Sequence, residues 1–231
     1  MLIGPRLALS LAPHLLRATN RVALATGVVV ALAFGWIPFA AGIALELADA
    51  TTMLRFALFG MVIGLAFVLD DPAASTIATL PTPRYVLVVL RLAPATVLAT
   101  AVWSVAWWGC RLALDPEVRS LLPLGGVLLE GFALLAVTFW LAGTRWGNDV
   151  APGGVLAAPA VVLLLIAAAL LPDSTAVFPP PGTERWGDSR QAWGVLLAVG
   201  LAGIVWTSHE PTPRARPLAP SVSSEKERIT N

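Results

Sequence analysis

Apolar runs of about 18 residues or more recur along this chain, and each is long enough to cross ~30 Å of hydrocarbon as a helix. Six such runs cover residues 22–45, 51–69, 85–110, 121–142, 150–171 and 191–208. Charged residues make up 13% of the chain and hydrophobic ones 57%, whereas soluble domains carry ~25% charge. A chain with so little charge cannot cover a water-facing surface. The expected fold class is all-α, a polytopic membrane protein with six transmembrane helices.

The flanks differ from this body. In residues 1–21, Arg6, Ser10, His14, Arg17 and Arg21 fall on one stripe at helical spacing, and Leu7, Leu11, Leu15 and Leu16 lie off it. That pattern predicts an amphipathic interface helix with its cations toward anionic headgroups, broken or kinked at Pro13. A signal peptide is the weaker reading, because His14, Arg17 and Arg21 interrupt the apolar core it needs. Residues 209–231 are rich in Pro, Ser and charge and read as a disordered tail.

Charge sets the expected orientation. With six spans, the termini and the second–third and fourth–fifth loops share a side. That side carries Arg6, Arg17, Arg21, Arg84, Arg91, Arg145, Arg214, Arg216, Lys226 and Arg228, ten cations, against five opposite, Arg55, Arg111, Arg119, Arg185 and Arg190. The positive-inside rule then places both termini in the cytoplasm of a multi-pass plasma-membrane protein. Tyr85 opens the third run, and Trp103, Trp107 and Trp108 gather near its end, as in interfacial aromatic belts. Gly60 and Gly64 give the second run a GxxxG spacing that permits close helix contact.

Few residues carry chemistry. Cys110 is alone, so no intrachain disulfide or thiolate metal site can form. Only His14 and His209 are present, both in the flanks, and no HExxH or Gly-x-Ser-x-Gly motif occurs. The sole lysine, Lys226, follows Glu225 in the tail, so no Gly-Lys-Ser/Thr phosphate loop exists. Glu130 stands near the middle of the fourth run, where a charge costs ~2.5–3.5 kcal/mol on insertion scales. It is expected to face the bundle interior, to be protonated, or to pair with Arg91 or a dimer partner. Arg91, two turns inside the third run, is the other candidate pathway or gating residue, with snorkelling to the interface as its plain alternative. Arg55, one turn inside the second run, is expected to snorkel outward.

The polar island at residues 70–84, DDPAASTIATLPTPR, breaks the apolar body. Pro72 suits a first helical turn, with Asp70 or Asp71 as cap. Residues 73–80 allow two turns, and Pro81 and Pro83 stop them. A short helix fixed between two spans can pass a push from a soluble partner into the membrane.

The order of parts resembles the membrane subunits of type-2 ABC exporters. These have an N-terminal interface helix, six spans, a coupling loop between spans two and three, and a longer external segment between five and six. Asp70-Asp71 stands where that class has an acid, and Ser75-Thr76-Ile77 where it has Gly-Thr-Leu. Leu80 and then Thr82-Pro83-Arg84 complete the pattern. Ser75 replaces the glycine, and the segment is one residue shorter. Fourteen arginines against one lysine resemble the composition of a GC-rich genome such as an actinobacterium's.

The resemblance implies a permease subunit that works with separate ABC ATPase subunits and with a second permease copy or a related chain. The coupling helix, Asp70 to Arg84 with Pro72, would contact the ATPase. This chain itself would hold no cofactor and be no enzyme, since ATP and Mg would bind the partner. The expected cargo is hydrophobic or amphipathic, and no nucleic acid is implied. A non-transporting membrane scaffold or sensor is the rival class. A lipid-modifying membrane enzyme ranks lower, given the absent His, Cys and metal constellations.

Overall fold

The computed structural model describes residues 20–70, 84–145, 153–172 and 176–209. Six helices follow one another among the described residues: α1 (Arg21–Ala40), α2 (Leu47–Leu65), α3 (Arg84–Ala113), α4 (Leu124–Gly143), α5 (Gly153–Ala169) and α6 (Arg185–Ser208), with a 3-10 turn at Arg119–Leu121 before α4. No strand occurs among the described residues; Leu45 and Leu114 make one isolated bridge. Five helices are long and apolar enough to cross a membrane. The other, α5, is apolar but only 17 residues long, about 25 Å at 1.5 Å per residue. The expected N-terminal interface helix and the tail beyond His209 lie outside the described residues, and so does the coupling segment from Asp71 to Pro83.

The burial pattern is that of a protein in lipid. Arg55, Arg91 and Glu130 are buried, while Val29, Leu163, Leu170, Val195 and Trp206 are exposed. Polar side chains within the helices bond to their own backbone one turn back, as Thr51 does to Leu47, Thr100 to Thr96, and Thr138 to Leu134. Such bonding satisfies a hydroxyl where no water is at hand.

Helices α2 and α4 are central, and α1, α3 and α6 pack around them. Small residues set the closest crossings. A Cβ on Gly27 of α1 would sit 2.7 Å from the Gly60 carbonyl oxygen, and one on Gly64 would sit 2.9 Å from that of Ala23. The Gly60/Gly64 spacing is therefore used for the α1–α2 contact. Lipid gives helices no hydrophobic reason to associate, so packing of this kind carries the adhesion.

Helix ends differ from the sequence expectations in ways that matter for the site. Helix α2 begins at Leu47, not at 51, because Asp49 sits favourably in its first turn. Helix α6 begins at Arg185, not at 191, with Asp188 in its first turn. Helix α4 begins at Leu124 rather than 121, held back by Pro123 as its cap residue. Helix α1 stops at Ala40, five residues early, and the chain then turns through Gly42 at φ 67°.

Candidate functional site

The buried charge lies at two places, one toward each end of the bundle. The first joins α2, α4 and the α5–α6 loop. Arg55 lies two turns into α2 and Glu130 nearly two turns into α4, so both stand at similar depth. Arg55 donates from Nε to Glu130 Oε2 at 2.8 Å and from Nη2 to Oε1 at 2.8 Å. This bidentate fork is the strong form of a carboxylate–guanidinium pair. Arg55 is 6% exposed and Glu130 3%.

The same guanidinium holds the loop. Nη1 donates to the Phe178 carbonyl at 3.1 Å, and Nη2 donates to the Pro179 carbonyl at 3.0 Å. Four of its five N–H groups are thus used. The Phe178 ring lies 5.3 Å from the guanidinium carbon, and the Trp186 ring 5.7 Å. Phe178 in turn packs against Phe59 and Trp193. Ser189 Oγ and Trp193 Nε1 both donate to the Val177 carbonyl, at 2.8 and 3.1 Å. Gly126, one turn before Glu130, makes room for Trp186, because a Cβ there would lie 2.5 Å from the indole. The loop is therefore latched from beneath by Arg55 and from the side by α6.

Arg55 does not snorkel, contrary to the expectation. Starting α2 four residues earlier puts Arg55 about 12 Å from the helix start, and Glu130 waits at that depth. Glu130 does face the interior, but its partner is Arg55. Arg91 lies toward the other end of the bundle. Spans two and four run in the same direction and carry opposite charges, but the two depths match only once α2 starts at Leu47 and α4 at Leu124.

The second polar place is at that other end. Asp70 follows the last turn after α2, and its Oδ1 accepts from the Gly154 N–H of α5 at 2.8 Å. A first-turn N–H without a helical partner is thereby satisfied across the fold. Arg91 is 5% exposed and turned inward, with Nη1 3.5 Å from the Leu69 carbonyl oxygen. Burial pushes the Asp70 carboxyl above its ordinary value, opposed by the Gly154 and Gly153 N–H groups and by the charge of Arg91. Asp70→Ala is expected to cost about 1 kcal/mol, as a lost helix cap does. Asp70→Asn keeps an accepting oxygen and costs less. A folded value above the unfolded one means the Asp70 contribution to stability is complete below the unfolded value and is lost as pH rises through the folded one. Unfolding midpoints measured across acidic pH should show that slope in the parent and not in Asp70→Asn.

Of the residues proposed for coupling, Asp70 is placed at this junction, and Arg84 begins α3. Asp71, Pro72, Ser75, Thr76, Ile77, Leu80, Thr82 and Pro83 lie outside the described residues. Among the described residues no group of three or more His, Cys, Asp or Glu is assembled. What sequence reasoning missed is the loop, since Phe178, Trp186 and Trp193 carry no motif and acquire meaning only around Arg55. The chain matches no protein-family model, no curated protein and no solved structure.

Proposed function

We propose that the chain is the membrane permease subunit of an ATP-driven exporter, with ATP and Mg bound by separate ATPase subunits and with a second permease copy or a related chain beside it. It crosses the plasma membrane six times, α5 being the shortest crossing, and both termini are cytoplasmic. The observation that carries the reading is the Asp70–Gly154 bond. It ties the start of the 70–84 segment to the first turn of α5, and α5 packs on α4, which bears Glu130. A push on that segment from a cytoplasmic ATPase then has a rigid route to α5, and through α4 to the loop held by Arg55. Glu130 is the gating residue of this route, and Arg91 steadies its cytoplasmic start. Hydrophobic or amphipathic cargo suits an interior with so few polar groups.

Affinity purification in mild detergent is expected to bring down a Walker-lysine ATPase with the chain. Leu80→Arg should abolish that association while leaving the unfolding midpoint unchanged. Purification of the chain alone, or an ATPase that stays bound to Leu80→Arg, overturns the reading and favours a non-transporting scaffold.

A further inference from the structure

Helices α3 and α6 diverge over the face of α4 and leave a groove of about 1120 Å3. Its floor is Phe132, Leu135 and Phe139 of α4, and its walls run from Tyr85 to Val97 on α3 and from Leu197 to His209 on α6. Both walls span twelve residue steps, about 18 Å of helix. One leaflet of hydrocarbon is about 15 Å, half of the ~30 Å core. The groove therefore begins at one membrane interface and ends near the midplane.

The two ends differ in chemistry. The deep end is mainly apolar, with Val97, Phe132, Leu135 and Leu197 and the single hydroxyl of Thr96. The interfacial end carries Tyr85, Ser208 and His209, and His209 Nδ1 lies 2.7 Å from the Val205 carbonyl oxygen, so the ring is held at the rim. In sequence, Arg84 precedes Tyr85, and Arg214 and Arg216 follow His209 within seven residues, against the single acid Glu210. Arginines next in sequence to the end of a membrane helix attract anionic headgroups. The chain beyond His209 is too polar to fill an apolar groove itself.

We infer that this groove is a binding site for one acyl chain of an anionic phospholipid, drawn from the leaflet on the Asp70 side, with its phosphate at the Tyr85–His209 rim. The site rests on membrane residence alone and is independent of transport or of any ATPase. It explains why α3 and α6, the two longest helices, stay apart there although each packs closely elsewhere. A lipid tail supplies the contacts that a side chain would otherwise have to make.

The test is photolabelling of the full chain in vesicles of phosphatidylcholine and phosphatidylglycerol. The probe is phosphatidylglycerol with a diazirine midway along one acyl chain. Labelled peptides from residues 85–97 and 197–209 are expected to exceed those from the exposed faces of α1 and α5 several-fold. A phosphatidylcholine probe should label the same peptides several-fold less. Ala93→Trp, which fills the groove from an exposed wall position, should reduce the labelling several-fold, and Val195→Trp, on α6 outside the groove, should not. Val97→Trp replaces Ala93→Trp if the latter does not accumulate. Even labelling of all faces, equal labelling by both probes, or full labelling of the filled variant overturns the assignment. So does a disulfide-linked dimer of Val97→Cys, which would put a second copy in the groove.

Discussion

Glu130→Leu is expected to lower stability by about 3–5 kcal/mol, the usual consequence of leaving one member of a buried ion pair without the other. The carboxylate takes both ends of the Arg55 fork at 2.8 Å. Without it, the guanidinium keeps only the carbonyls of Phe178 and Pro179 and a full uncompensated charge. Three elements are tied to that charge, so the loss reaches the α5–α6 loop as well as α2 and α4. Arg55→Met with Glu130→Leu should be more stable than Glu130→Leu alone, because no charge is then stranded and apolar side chains of similar size take the space. Unfolding in mixed micelles, followed by tryptophan fluorescence, gives the double-mutant cycle. Strong non-additivity is the expected result. Simple additivity of the two single changes would mean that the pair is not an energetic unit. The loop should also become a protease site in Arg55→Met, where Trp186 and Phe178 lose the cation they stack on.

Five helices were legible because their apolar runs reach the length a bilayer requires, whereas the run at 150–171 yields a helix of only 17 residues, Gly153–Ala169, among the described residues. Helix ends were less so. Asp49 falls between the first two apolar runs and reads as part of a short turn, yet an acid in a first turn stabilises the helix that follows. That one misplacement moved Arg55 toward the surface and hid its partner. Glu130 was legible as costly from its position alone, but the identity of its partner depends on which spans lie side by side. The approach of Phe178 to Arg55 spans 123 residues and leaves no periodic trace. The Gly60/Gly64 spacing was visible, whereas its true partner, Gly27, was one of many glycines in a chain rich in them. For Asp70, capping was expected toward its own following segment, which lies outside the described residues, and the bond to Gly154, 84 residues away, was not foreseen.

Gly35→Leu is expected to cost about 3 kcal/mol, at the upper end of overpacking penalties, because the obstruction is backbone that cannot move aside. A Cβ at Gly35 would lie 2.5 Å from the Cα of Ala106 and 2.7 Å from its carbonyl oxygen, and one at Gly109 would lie 2.5 Å from the Gly35 carbonyl oxygen. Helices α1 and α3 are therefore in backbone contact through two glycines facing each other. Trp36 Nε1 donates to the Val105 carbonyl at 3.1 Å on the same crossing. Close approach is the source of adhesion here, since lipid tails are as apolar as the side chains they would replace. A leucine at 35 must push α1 outward by most of a side-chain diameter, and both the packing and the Trp36 bond are lost together. Gly125→Leu is the contrast: nothing lies within 4 Å of a Cβ there, so the change should be neutral or, by helix propensity, slightly stabilising. Unfolding midpoints of the two variants side by side separate tight packing from a general intolerance of leucine for glycine. If Gly35→Leu unfolds with the parent, α1 is not held by this crossing, and the Gly27–Gly60–Gly64 contact with α2 must carry its attachment alone.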